Sequence, residues 1–119
     1  MSNPTILVVD DSPFMLRTLT FILEKAGYTT ATAAGGEEAL AKAQALHPRL
    51  ILLDAVMPDM DGSQVLEAIR NEPTLQATRV VMVSGSTAEE LPDADGYIQK
   101  PFTPDQVLQT VARLIAGES

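Results

Sequence analysis

Cysteine is absent from the chain, which removes disulfides, thiolate nucleophiles and thiol metal sites together and is compatible with a reducing compartment. Positive charge is scarce. Lys and Arg number 8 against 16 Asp and Glu, and the formal net charge of −8 repels phosphate backbones and leaves no basic stripe, so direct nucleic-acid binding is not expected. Long apolar runs are missing as well. None approaches the roughly 20 residues that cross a bilayer, which argues against membrane insertion. Met1 to Thr5 carries no basic flank, and Ile6 to Val9 is cut short by two acids, the pattern of a first strand and not of a signal peptide. A soluble cytoplasmic protein is the default reading. Nor is there length for a second domain: 119 residues make one domain, 1–119, large enough to bury a core without a structural metal. With 45% hydrophobic and 20% charged residues, disorder, collagen and coiled coil are all poor descriptions.

What is present is organised around Leu50 to Gly62. Four large aliphatics, Leu50 to Leu53, lie between Pro48 and the Pro58 and Gly62 turn, and fit a strand buried on both faces better than a helix. Asp54 stands where that strand emerges. A carboxylate there is held by a rigid element and opens into the crevice beyond the strand ends, where open α/β sheets bind ligands. Asp54 is therefore the candidate reactive residue.

Other apolar runs end in the same manner. Asp10 and Asp11 follow Ile6 to Val9, Ser84 follows Val80 to Val83, and Lys100-Pro101-Phe102 follows Tyr97 to Gln99. Between the runs lie helical patterns. Ser12 and Pro13 start a first helix, with Met15, Leu19, Ile22 and Ala26 inward and Gly27 as its stop, which leaves Phe14 and Leu16 off the stripe. Thr29 to Ala34 reads as a weak strand. Gly35-Gly36 then precedes a second helix with an alanine-rich face of Ala39, Leu40, Ala43 and Leu46, ended by His47-Pro48. His47, the single histidine, reads as an exposed turn residue. A third helix is expected from about Ser63 to Asn71 with Val65, Leu66 and Ile69 inward. A last one opens at Thr103-Pro104, turns Val107, Leu108, Val111, Leu114 and Ile115 to the core and ends at Gly117. Strands alternating with helices predict an α/β fold, a parallel sheet with helices on both faces.

With the Met57-Pro58-Asp59-Met60-Asp61-Gly62 turn, these elements resemble the receiver domain of two-component response regulators, the CheY-like family, from Ile6 to about Ile115, here as a stand-alone receiver. The resemblance implies a doubly wound, flavodoxin-like five-stranded sheet in the order 2-1-3-4-5. That order brings Asp10, Asp11 and Asp54 together, and three mutually repelling carboxylates with room for water suit a hard cation, magnesium before calcium. By resemblance, Asp11, Asp54 and the Val56 carbonyl ligate it and Asp10 acts through water. Asp54 would accept a phosphoryl group from a sensor histidine kinase or histidine phosphotransfer protein, with Lys100 and Ser84 contacting phosphoryl oxygens and a cis bond before Pro101. Ser84 and Tyr97 would form the switch that alters binding to a downstream protein target. Phe14, Leu16, Pro101 and Phe102 would meet partners.

Two other classes fit less well. An aspartate phosphohydrolase would carry a second acid two residues after its nucleophile, where Val56 stands. A flavodoxin-type module would need a hydroxyl- and glycine-rich loop where the chain has Asp10-Asp11-Ser12-Pro13. One departure from the family is visible. Only Gly85 to Asp95 separates Ser84 from the fifth strand, near the minimum for a parallel crossover, and Pro92 interrupts it. Only Ser86 to Leu91 can be helical, so a shortened fourth helix of about one turn is expected, with more of Tyr97 exposed and a relocated output surface.

Overall fold

The computed structural model describes residues 5–85 and 94–116. Strands β1 (Thr5–Val9), β2 (Thr29–Ala33), β3 (Leu50–Asp54), β4 (Arg79–Ser84) and β5 (Gly96–Gln99) alternate with helices α1 (Pro13–Lys25), α2 (Gly36–Leu46), α3 (Gly62–Arg70) and, at the end, α4 (Pro104–Ile115). The strands pair in parallel in the order β2-β1-β3-β4-β5. This is the flavodoxin-like order that the resemblance implied, and CheY-like receivers are a standard instance of it.

Alternation along each strand explains why the central runs are wholly apolar. Ile6, Val8, Leu50, Leu52, Val81, Val83 and Ile98 point to one face and pack on Leu19, Ile22, Leu23, Val107, Val111 and Leu114 of α1 and α4. Their neighbours Leu7, Val9, Ile51, Leu53, Val80 and Met82 point to the other, against Ala39, Ala43, Val65, Leu66 and Ile69 of α2 and α3. All five residues of β3 are buried. A strand covered on both sides needs apolar residues at every position, and each buried Leu or Ile contributes roughly 2 kcal/mol.

The helix starts follow from local chemistry. Ser12 Oγ accepts the Met15 N–H at 3.3 Å, with Pro13 at the first position of α1 where a missing N–H costs nothing. At α4 the Gln106 N–H donates to Thr103 Oγ1 at 3.2 Å while Gln106 Oε1 accepts the Thr103 N–H at 2.9 Å, a reciprocal box. Both starts are as expected, and so is exposed His47, the left-handed C-cap of α2.

Two inward assignments, Ala26 and Leu46, and one off the apolar stripe, Leu16, need correction. Ala26 is exposed because α1 ends at Lys25 and Ala26 caps it; fully buried Leu23 fills that stretch of the core instead. Leu46 is exposed because α2 makes its contact through the small residues Gly36, Ala39 and Ala43, and its last turn lies beyond them. Leu16 is half-buried and packs against the core on the α1 side. The helical stop assigned to Gly117 and the shortened fourth helix of Ser86 to Leu91 lie outside the described residues. The entry into β5 is described. Asp95 accepts from Arg70 Nη2 at 2.5 Å, from Arg79 Nη1 at 3.3 Å and from the Val80 N–H at 2.8 Å, which moors this end of the crossover to the base of β4.

Candidate functional site

Strand register builds the site. Val9 lies opposite Leu53, Asp54 opposite Val83, and Ser84 opposite Gln99, so the residues that follow β1, end β3 and β4, and follow β5 reach one level at the carboxyl edge of the sheet. Backbone bonds extend the alignment past the strands. The Asp10 N–H donates to the Ala33 carbonyl at 3.1 Å, the Ala55 N–H to Val83 at 3.1 Å and the Lys100 N–H to Ser84 at 2.8 Å. Asp10, Asp11, Asp54, Ser84 and Lys100, spread over 91 positions of sequence numbering, thus meet at the switch point where β1 and β3 part.

The three acids each offer a carboxylate oxygen within 4.8 Å of the others. Asp10 and Asp54 are buried and Asp11 is exposed, so the cluster has two fixed members and one at the mouth. Asp10 Oδ1 accepts the Ser12 N–H at 2.9 Å, which joins the acid pair to the start of α1 without using its second oxygen. Lys100 Nζ lies 3.3 Å from Asp54 Oδ1 and 3.9 Å from Asp10 Oδ2. Burial raises the Asp10 carboxyl above its ordinary range; the Ser12 N–H works against this, Asp54 adds to it, Lys100 opposes it and Asp11 adds a little more. The Lys100–Pro101 bond is cis, as the resemblance implied.

An all-oxygen set of carboxylates with one exposed member fits a hard divalent cation that keeps several waters. The residues present therefore suit magnesium. Position 56, where an aspartate phosphohydrolase would place its second acid, holds a valine whose side chain is 74% exposed. No general acid stands there.

The turn after Asp54 is closely fitted. Its two ends are joined by the Gly62 N–H donating to the Ala55 carbonyl at 2.9 Å, and Met57 is buried between them. Sequence reasoning missed the role of Asp59. Its oxygens accept the Gly36 N–H at 3.0 Å and the Glu37 N–H at 3.2 Å, so it caps α2 from 23 residues away. The signal was there in part, since Gly35 leaves that helix without a side-chain cap of its own.

The remaining assigned residues divide. Ser84 is half-buried at the end of β4, and Tyr97 is 38% exposed on edge strand β5, beside an open depression of about 390 Å³ that Gln99, Gln106, Gln109 and Thr110 also line. Phe14 is 69% exposed and Pro101 is exposed, whereas Phe102, like Leu16, packs partly into the core. Met15, Thr18, Lys100, Pro101 and Phe102 enclose a second depression of about 420 Å³, which runs from the site lysine to α1.

Comparison with known proteins agrees with this geometry. Residues 6–112 match the response regulator receiver domain family. The chain is 37% identical over 120 residues to the alkaline phosphatase synthesis transcriptional regulatory protein PhoP of Bacillus subtilis, covering 95% of this chain and 49% of that protein. It is 33% identical over 112 residues to protein PilG of Pseudomonas aeruginosa, covering 89% of this chain and 83% of that one. The chain spans about half the length of several relatives it matches. Among solved structures, the chemotaxis protein CheY4 of Vibrio cholerae superposes with a TM-score of 0.88 at 35% identity, covering 94% of this chain and 98% of that chain.

Proposed function

Because the chain belongs to the response regulator receiver domain family, a phosphoaccepting signalling family of two-component systems, we propose that Asp54 is its phosphoacceptor and that the receiver unit occupies residues 1–119. The observation that carries the assignment is Asp54 itself: buried at the end of the central strand, with Asp10 and Asp11 within 4.8 Å and Lys100 Nζ at 3.3 Å. In the transfer, the phosphorus–nitrogen bond of a donor phosphohistidine breaks and a bond forms between phosphorus and an Asp54 carboxylate oxygen. The imidazole keeps the electron pair and takes up a proton from water. The product is an acyl phosphate, and its formation depends on placing and neutralising the phosphoryl oxygens.

Lys100 supplies one fixed positive charge for that purpose, as a compact ammonium on a long stem. The Ser84 hydroxyl serves a second phosphoryl oxygen. Asp11, Asp54 and the Val56 carbonyl would hold magnesium, with Asp10 acting through water; when bound, the ion supplies the further positive charge that the cluster lacks. Slow return of the phosphoryl group to water uses the same residues.

Receiver domains work with histidine kinases and phosphotransfer proteins. Here the donor would dock across exposed Phe14 and Pro101 and the depression that Phe102 helps to line beside Lys100, with half-buried Leu16 on the same helix as Phe14. Movement of Ser84 toward the phosphoryl group, answered by Tyr97, would report the charge state to a downstream protein. Among the described residues no helix is long and apolar enough to cross a membrane, and the reading places the domain in the cytoplasm with its kinase.

The test is labelled acetyl phosphate with magnesium. The wild-type chain should take up label in a form labile to base and to hydroxylamine, as an acyl phosphate is, and Asp54→Asn should take up none. Labelling of Asp54→Asn at the wild-type rate would sink the assignment.

A further inference from the structure

We propose that Asp59 is a positioning residue for the acid site, holding the loop that carries the Val56 carbonyl by fastening it to the first turn of α2. The inference rests on the proposed metal and phosphoryl role of the site. A residue that caps a helix normally precedes it in sequence, and α2 is preceded by Gly35, which makes no side-chain cap. The cap comes instead from the loop after β3, through Asp59 Oδ1 to the Gly36 N–H and Asp59 Oδ2 to the Glu37 N–H. Two unsatisfied amides at the positive end of an eleven-residue helix are good partners for a carboxylate. They hold the Asp59 carboxyl below its usual range even though it faces solvent.

The seat is shaped for this loop. A Cβ on Gly35 would lie 2.9 Å from Asp59 Oδ1, and one on Gly36 would lie 2.7 Å from Met60 Cβ. A larger residue at Gly35 would displace the Asp59 carboxylate, and one at Gly36 would press on Met60 close to the loop backbone. The glycine pair is therefore a notch that receives Asp59 and Met60, and the mooring is reciprocal: the loop caps the helix, and the helix fixes the loop.

That matters because of what the loop carries. Val56 is two residues beyond Asp54, its side chain is exposed and contributes no anchor, and its N–H reaches Asp54 Oδ1 at a long 3.5 Å. Before Val56 the chain is held by the Ala55 N–H on the Val83 carbonyl, and after it by buried Met57 and then Asp59. A carbonyl that is to serve a cation must be oriented beforehand, and groups behind a ligand commonly set its affinity. The same connection makes the first turn of α2 respond to events at Asp54.

The experiment compares magnesium affinity, by calorimetry, and amide NMR signals in the full chain and three variants. Asp59→Ala should bind magnesium about tenfold more weakly, with phosphorylation from acetyl phosphate slowed at low magnesium and restored at high magnesium. Asp59→Asn keeps one acceptor oxygen and should recover part of the affinity. Glu38→Ala is the control, since Glu38 accepts the Ala34 N–H at 3.0 Å and pairs with Lys42 at 3.1 Å on the same helix turn without touching the loop. It should bind magnesium within twofold of wild type. In wild type the Gly36 and Glu37 amide signals should shift on adding magnesium, and in Asp59→Ala they should not. Unchanged affinity in Asp59→Ala, or an equal loss in Glu38→Ala, would overturn the proposal and leave Asp59 a helix cap alone. A wild-type chain that takes up label but binds no magnesium would overturn it too, whereas one that does neither would sink the proposed function itself.

Discussion

Gly62 to alanine is the sharpest test of how tightly the turn is fitted against the reactive strand. A Cβ at Gly62 would stand 2.7 Å from Met82 Cε, 2.8 Å from the Asp54 carbonyl oxygen and 2.9 Å from Ala55 Cα. Met82 Cε is the tip of a flexible side chain, but the other two atoms are backbone at and just past the end of β3 and cannot yield by a side-chain rotation. Gly62 does not have a positive φ, so alanine is not strained by conformation and gains about 0.4–1 kcal/mol through a less flexible unfolded chain. Overpacking costs roughly 1–3 kcal/mol and wins. The net loss should be about 1–2 kcal/mol, a fall in Tm of roughly 4–8 °C. Because the displaced atoms belong to Asp54 and Ala55, phosphorylation at a temperature well below melting should slow as well. Gly85→Ala is the contrast, since a Cβ there meets nothing within 4 Å, and it should be neutral or slightly stabilising. Urea denaturation with an unchanged m-value measures the first effect and labelled acetyl phosphate the second. If Gly62→Ala is as stable as wild type, the turn yields freely and the argument from close approach is wrong.

Three further outcomes follow from the same geometry. Asp11→Ala should reduce the rise in Tm that magnesium produces, because it removes one of the three converging carboxylates; an unchanged rise would mean the ion binds elsewhere. Asp10 has a folded-state pKa above its ordinary 3.8, so its contribution to stability is present below that value and is lost as pH rises through the raised one. With EDTA present, Asp10→Asn, which keeps an acceptor for the Ser12 N–H, should gain on wild type from pH 3 to 7, and a flat difference across that range would contradict the assignment. Asp95→Ala should cost about 1–3 kcal/mol by leaving the Val80 N–H without its acceptor, more than its partly exposed ion pairs would suggest, while phosphorylation is unchanged.

Sequence showed the sheet more clearly than the contacts between its loops. The β3 run identified itself because a strand buried on both faces leaves no polar residue in the pattern, and the acid at its end then stood out. Helix starts at Ser12 and Thr103 were legible because capping is local chemistry. Strand order was not, and came from resemblance. Helix ends were least legible: Ala26 and Leu46 fit the helical period, but whether a last turn faces core or solvent depends on where the sheet stops. Asp59 could have been read as a turn residue or as part of the start of α3, and no local rule says that an acid caps a helix that ended thirteen positions earlier. Gly62 was legible as a turn glycine, yet what requires it is the approach of the Asp54 backbone and not its own dihedral.

The charge balance of the site explains why these residues are useful only together. At an effective dielectric of about 20, Lys100 attracts Asp54 at 3.3 Å by about 5 kcal/mol and Asp10 at 3.9 Å by about 4 kcal/mol. Each pair of carboxylates within 4.8 Å repels by about 3 kcal/mol, less where exposed Asp11 is one of the two. One lysine therefore outweighs the repulsion within the buried pair but leaves it one charge negative, and the third acid adds repulsion that uses up most of that gain and brings the formal charge to −2. A strand end with only Asp54 and Lys100 would form a quiet ion pair. Adding Asp10 and Asp11 leaves negative charge that the fold cannot relieve from within, because the lysine is already shared. A phosphoryl group arriving at Asp54, as proposed, would bring still more negative charge to the same few ångströms. Uptake would then need added positive charge, and the excess of acids at the site is what would draw a cation to it.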